Sequence, residues 1–165
     1  MITLVGDIIK LSKLDEGSVE LEKENVDLYQ MTREIVSRLA LQAEKRRIQV
    51  EVVGEHVECF GIRQILDEMI YNICENAIKY NKENGSVRVW CRQMSVDAGY
   101  ATFEFGCEDT GIGMSQEYMT KIFDAFTREH NTTKSKIAGT GLGMSIVKKY
   151  VELLLSLIHI SEPTR

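Results

Sequence analysis

The sequence predicts an α+β fold, a two-layer α/β sandwich in which a mixed, mostly antiparallel sheet packs on helices. Three observations carry this prediction. Apolar residues recur at a spacing of three and four between Leu28 and Ala43 and again between Ile62 and Ala77, which marks two amphipathic helices. The stretches Ile48 to Val53, Ser86 to Gln93 and Ala101 to Cys107 instead have the character of strands. Asp97-Ala98-Gly99 separates the last two, so a hairpin makes the sheet at least partly antiparallel.

Composition narrows the class further. The chain has 165 residues, of which 44% are hydrophobic and 27% charged, an ordinary globular balance with room for one domain and an appendage. A formal charge of -5 and the lack of a basic stripe give nucleic-acid binding no footing. Cys59, Cys74, Cys91 and Cys107 lie far apart without a CxxC pair, and none of the three histidines is spaced to join them. Buried free thiols in a reducing compartment are therefore expected in place of a zinc site. No apolar run approaches the roughly 20 residues of a membrane helix and no signal peptide opens the chain, so a soluble intracellular piece is expected.

Taken in order, Met1 to Leu14 is an apolar-rich helical pattern stopped at Gly17, too apolar to stand alone and in want of a partner helix. Glu20 to Asn25 reads as a charged connector. Asp27 is placed to N-cap the next helix, and Lys45, Arg46 and Arg47 close it, suiting the negative end of its dipole. After the strand at Ile48, Gly54-Glu55 reads as a turn and Val57 to Phe60 as a short strand. The second amphipathic helix runs to about Asn81, followed by an Asn84-Gly85 turn. Ser115 can cap a short helix through Phe123, Glu129 to Ala138 reads as a mobile loop, and Ser145 to Leu155 is helical again.

The second helix is the centre of the chemistry. Ile62, Leu66, Met69, Ile70, Ile73 and Ala77 form its apolar stripe, while Asn72, Asn76 and Lys79 (i, i+4 and i+7) line one edge. Two amides and an ammonium beside a core-facing stripe can hold something polar against the core, and an amide oxygen can ligate Mg²⁺ together with phosphate oxygens. Two glycine clusters bear on this edge. Glu108-Asp109-Thr110-Gly111-Ile112-Gly113 ends a strand in a carboxylate able to accept from an exocyclic amine, though alone it reads equally as a tight turn. Gly139-Thr140-Gly141-Leu142-Gly143 opens a helix, where freed amides and the helix dipole suit phosphate, yet such turns are common. Without a preceding strand or a Gly-Lys-Ser/Thr ending, it fits neither a dinucleotide-binding turn nor a P-loop.

In this order and spacing the clusters resemble the catalytic, ATP-binding domain of two-component sensor histidine kinases, within the class of ATPases that includes gyrase, Hsp90 and MutL. Asn72 to Asn81 resembles the N box, Asp109 to Gly113 and Gly139 to Gly143 the two glycine boxes, and Ile122 to Glu129 the F box. The resemblance covers about residues 1–154. It implies the Bergerat-type sandwich over 27–154, a linker over 19–26, and over 1–18 the second helix of a dimerisation and histidine-phosphotransfer hairpin. It also implies ATP as substrate and Mg²⁺ as cofactor. Asn76 would ligate the metal with Asn72 beside it. Lys79 would approach the phosphates, and Tyr80 would lie near the nucleotide. Asp109 would accept the adenine amino group, and Gly111 and Gly113 would allow close approach. Gly139, Thr140, Gly141, Leu142 and Gly143 would supply hinges and amides, and Arg128 and Lys134 charge for the γ-phosphate. Phe126 to Ala138 would be a lid, with Phe123 and Phe126 as apolar anchors for it.

The implied acceptor is a histidine on the first helix of the hairpin, and His56, His130 and His159 lie elsewhere. The implied partners are a phosphoacceptor hairpin on the same or a partner protomer of a homodimer and the receiver domain of a response regulator. Neither nucleic acid nor membrane contact is implied for this stretch, and the implied location is cytoplasmic. Residues 155–165 have no family counterpart and read as a non-native tail, leaving a sheet edge exposed and the chain weakly stable.

Overall fold

The computed structural model describes residues 22–128 and 139–155. The expectations for the first helix, for Glu129 to Ala138 with His130 and Lys134, and for the tail beyond Leu155 lie outside these residues. Strand β1 (Glu24–Asp27) leads into helix α1 (Leu28–Lys45), then strands β2 (Gln49–Gly54) and β3 (Glu58–Gly61), and helix α2 (Arg63–Lys79). The long hairpin β4 (Ser86–Asp97) and β5 (Tyr100–Asp109) follows, then the single turn α3 (Gln116–Met119) and helix α4 (Gly143–Leu155).

The strands form two sheets. In the larger, β4 is central, parallel to β2 (Gln49 opposite Ser86) and antiparallel to β5 (Val87 opposite Asp109). In the smaller, β1 pairs antiparallel with β3. The Glu20 to Asn25 connector thus ends in a strand: Glu24-Asn25-Val26-Asp27 has a single apolar residue, so its pairing with β3, and not its own pattern, makes it one. Helix α3 stops at Met119, with turns in place of the helix expected through Phe123.

The core lies between the larger sheet and helices α1 and α2. Val87, Val89 and Cys91 of β4 point into it, against Met31, Ile35 and Leu39 of α1 and Ile70, Cys74 and Ile78 of α2. A second cluster sits on another side of α2, where Ile65 meets Leu142, Ile146 and Tyr150 at α4, with Ile62 and Met69 packed against it. Helix α2 is therefore buried on two sides, and its apolar surface is wider than the single stripe expected. Ile65, Cys74 and Ile78 join it, whereas Ile73 is only half-buried. The described cysteines are free thiols. A hydrogen bond with Cys107, and then burial, push the Cys74 thiol up.

Asp27 caps α1, its Oδ1 accepting from the Gln30 amide at 3.0 Å. Burial acts to raise its carboxyl pKa, but hydrogen bonds from the Gln30 amide, the His56 ring and the Tyr29 amide outweigh this and hold it below its ordinary value. A depressed carboxyl contributes stability above its unfolded pKa, near 3.9, and loses it as pH falls through the folded value. Asp27→Asn keeps a capping oxygen and removes the titration. It is expected to be less stable than the parent in urea melts at pH 7, with the difference vanishing as the pH falls below the folded pKa of Asp27.

Candidate functional site

The site lies where α2 meets the glycine-rich entry to α4. Asn72 donates from Nδ2 to the Glu68 carbonyl at 2.8 Å, one helical turn back, which fixes its amide and turns Oδ1 outward. That oxygen faces Gly143: a Cβ added there would stand 3.5 Å from Asn72 Oδ1 and 3.9 Å from Asn76 Nδ2. Lys79, two turns along from Asn72, approaches Gly139, where an added Cβ would come within 2.6 Å of its Nζ and 3.3 Å of the Tyr80 hydroxyl. The asparagine–lysine edge and the second glycine cluster, about 60 residues apart in sequence, thus face each other across a narrow gap.

Local structure explains the shape of this entry. Thr140 Oγ1 accepts from the Leu142 amide at 3.3 Å, and Ser145 Oγ donates to the Leu142 carbonyl at 2.8 Å, while the Leu142 side chain is fully buried. Gly141 sits at φ +75°, in the left-handed region that glycine enters without steric cost, with its Cα side against the backbone of Phe126. The Tyr150 hydroxyl of α4 donates to the Glu68 carboxylate of α2, pinning the two helices together one turn from Asn72.

The carboxylate–glycine turn joins the same helix at its C-terminus. Asp109 Oδ1 accepts from the Gly111 amide at 2.7 Å, and the Ile112 amide donates to the Tyr80 carbonyl at 3.1 Å. An added Cβ on Gly111 would lie 2.6 Å from that carbonyl. Gly113, at φ +71°, faces open space. The structure therefore brings Asn72, Asn76, Lys79 and Tyr80 beside Gly139 and Gly143, and brings Asp109 and Gly111 against Tyr80. Arg128 is half-buried at the last described residue before 129.

One sequence expectation is corrected, and one residue has a role beyond the expected one. The Phe123 and Phe126 side chains are exposed (42% and 61%), and Phe126, at φ +62°, sets its backbone against Gly141. Arg46 does more than complement its own helix dipole: its guanidinium donates to the carbonyls of Ile78 (2.8 Å), Lys79 and Asn81 at the C-terminus of α2. Sequence reasoning missed this role, and nothing in the Lys45-Arg46-Arg47 run singles out the middle residue.

Whether these residues suit a metal follows from the donor set. Among the described residues there is no cluster of three or more carboxylates, histidines or cysteines able to hold an ion alone. The Asn72 amide oxygen facing the glycine cradle, with the Asn76 side-chain amide beside it, is a sparse set of hard donors. This suits Mg²⁺, which is usually held by few protein oxygens together with substrate phosphates and water.

A helix edge of amides and an ammonium, facing a glycine-rich helix entry and adjoined by a carboxylate turn, defines a nucleotide-binding α/β sandwich. Residues 61–165, more than half the chain, match the family model of the histidine kinase-, DNA gyrase B- and HSP90-like ATPases, and the chain belongs to that family. Its relatives lie on the histidine kinase side. The sensor protein kinase WalK of Staphylococcus saprophyticus is 32% identical over 156 residues, 92% of this chain and 24% of that protein. The hybrid signal transduction protein dokA of Dictyostelium discoideum is 30% identical over 97% of this chain and 10% of its own length. The chain thus spans a quarter or less of these relatives. Among solved structures, the mycobacterial sensor histidine kinase MprB matches with a TM-score of 0.62 at 26% identity, covering 79% of each chain. Full-length ShkA, in complex with AMPPNP, matches with a TM-score of 0.74 at 25% identity over 91% of this chain and 30% of its own.

Backbone geometry separates the two glycines that open α4. Gly141→Ala places a Cβ in the left-handed region and 2.9 Å from a Phe126 backbone atom, and is expected to cost about 1–2 kcal/mol or more. Gly143→Ala has van der Waals room at 3.5 Å and helical backbone, and is expected to be neutral or stabilising by up to about 1 kcal/mol. Urea unfolding of both variants checks the contrast.

Proposed function

We propose that the chain is the ATP-binding kinase module of a two-component sensor histidine kinase. It passes the γ-phosphoryl group of Mg-ATP to a histidine on a phosphotransfer hairpin of the same or a partner protomer, for relay to the receiver domain of a response regulator. The observation that carries this reading is the opposition of Asn72, Asn76 and Lys79 to Gly139 and Gly143 across the α2–α4 gap. The relationship to sensor kinases and the AMPPNP held by ShkA support it.

In this reading the triphosphate lies in the glycine cradle. The amides of 139–143 and the positive end of the α4 dipole face its oxygens, and Lys79 supplies a cation at the same place. Asn76, assisted by Asn72, would hold Mg²⁺, which when bound neutralises phosphate charge. Asp109, oriented by the Gly111 amide, accepts the adenine amino group; Gly111 lets the turn close on the Tyr80 carbonyl, and Gly113 leaves the ring room to approach with Tyr80 alongside. Thr140 and Leu142 shape the entry, and Arg128 adds charge near its rim. Phosphoryl transfer needs little covalent work from the protein, so positioning and charge suffice. The module works in the cytoplasm, where ATP is supplied. Among the described residues no helix is long and apolar enough to cross a membrane.

A water-activating ATPase is the competing chemistry. It needs a side chain at the phosphate edge that can take a proton, and the neutral amide of Asn72 cannot. The nearest acidic residue towards the helix start, Glu68, is engaged by the Tyr150 hydroxyl between the helices.

Three experiments test the proposal. The chain with Mg-ATP labelled at the γ-position is expected to transfer label to a separately supplied hairpin domain, giving an acid-labile, base-stable product. ATP binding without transfer would assign it to regulation without turnover. Asn76→Ala is expected to lower transfer by about a hundredfold or more while far-UV circular dichroism is unchanged. Undiminished transfer would refute the role of Asn76. Gly143→Ala is expected to weaken ATP binding by about tenfold while leaving stability unharmed, because its methyl enters the cradle that a phosphate would occupy. Titration calorimetry beside a thermal melt reads both.

A further inference from the structure

The end of α2 is held by a polar network that the nucleotide chemistry does not itself use. Helix C-termini leave carbonyls unpaired, and here Arg46, from the loop after α1, satisfies those of Ile78, Lys79 and Asn81 with a single guanidinium. The Asn81 side chain is 2% exposed and fully engaged. Its Oδ1 accepts from the Lys82 amide at 2.8 Å and from Thr110 Oγ1 at 3.1 Å, and its Nδ2 donates to the Ser86 carbonyl at 3.0 Å. Thr110 Oγ1 in turn accepts from the Ser86 amide at 2.9 Å, and the Thr110 amide donates to the Ser86 carbonyl at 3.1 Å. Four segments converge at this point: the loop after α1, the end of α2, the start of β4 and the end of β5. At its centre is the Tyr80 peptide, flanked by two of the carbonyls that Arg46 binds and accepting the Ile112 amide through its own.

We propose that Arg46, Asn81 and Thr110 are positioning residues for the nucleotide site. Together they fix the Tyr80 peptide and so set the distance between the Asn72–Lys79 edge and the Asp109 turn. The inference rests on the reading of that site as a nucleotide site. The physical case is one of shared constraint. Lys79 and Tyr80 project from the last turn of a helix, where fraying is easiest, whereas Asp109 projects from a strand end. A ligand that bridges them benefits only if the joint between the two elements is rigid before it arrives. A guanidinium spanning the carbonyls on both sides of one peptide, with a buried amide on the next residue, supplies that rigidity without touching the ligand. Such hydrogen bonds polarise one another, so removing one member loosens the rest.

Four variants test this: Arg46→Met, Arg46→Lys, Thr110→Val and Thr110→Ser. Each is read by ATP affinity, by hydrogen exchange of the Ile112 amide in nucleotide-free protein, and by far-UV circular dichroism. Arg46→Met and Thr110→Val are expected to weaken ATP binding by about tenfold and to speed Ile112 exchange by at least as much, with the dichroism retained. Thr110→Ser, which keeps the hydroxyl, is expected to restore both values. Arg46→Lys is expected to fall between, since one ammonium cannot span the carbonyls a guanidinium reaches. The proposal is overturned if the folded Thr110→Val protein binds ATP as the parent does, or if its Ile112 exchange is unchanged. Should Arg46→Met fail to fold, the Thr110 pair decides alone. Failure of the parent chain to bind ATP would overturn the functional reading, and this inference with it, before any variant is compared.

Discussion

Everything in the molecule is arranged around a helix buried on two sides and left open along a third. Helix α2 gives Ile70, Cys74 and Ile78 to the core beneath the larger sheet, and Ile65 to the smaller cluster under α4. Burial on two sides fixes its rotation, since turning it by one residue (roughly 100°) would drive Asn72 and Asn76 into hydrocarbon with no hydrogen-bond partners. The polar edge is thereby held in place by apolar packing.

The second cluster adds a coupling between the edge and its counterpart. Leu142 and Ile146 anchor the beginning of α4 on α2, and the Tyr150–Glu68 hydrogen bond fastens it one turn further on. Because Leu142 lies within the glycine-rich entry itself, packing of the cluster sets where the amides of 139–143 stand relative to Asn72 and Lys79. Glycine at 143 keeps the gap open, since the modest space left beside Asn72 Oδ1 would otherwise be filled by a side chain. The same residues thus carry both stability and site geometry.

How much of this could be read from the sequence varies with the range of the interaction. Local signals were legible. The Asp27 cap, the spacing of α1 and α2, the Asp97-Ala98-Gly99 hairpin and the Asn84-Gly85 turn all appear where pattern and turn chemistry put them. Features made by distant pairing were not. Strand β1 contributes only Val26 to the core and owes its form to β3, while the parallel pairing of β2 with β4 depends on a crossover through α2 that no local pattern encodes. Within the site, residue types and order marked Asn72 to Lys79 and both glycine clusters, but not what they face. Arg46 was hidden for the same reason: its partners lie 32 to 35 residues away. Phe123 and Phe126 show the converse: both are apolar and sit in the F-box resemblance, yet both side chains are exposed.

The residue at position 72 bears directly on the proposed chemistry. A carboxylate at position 72 would face Gly143 with a group able to take a proton from water, whereas the amide there can only accept or donate a hydrogen bond. Its Nδ2 is already committed to the Glu68 carbonyl, which leaves the oxygen as the outward group and makes Asn72 a fixed acceptor beside Asn76. In the proposed reading, side-chain amides, an ammonium and backbone amides neutralise and align a triphosphate, and none of these groups takes a proton from water. In the proposed function the nucleophile arrives on a separate group, and the imidazole of histidine, with an unperturbed pKa near 6.5, is already competent near neutral pH.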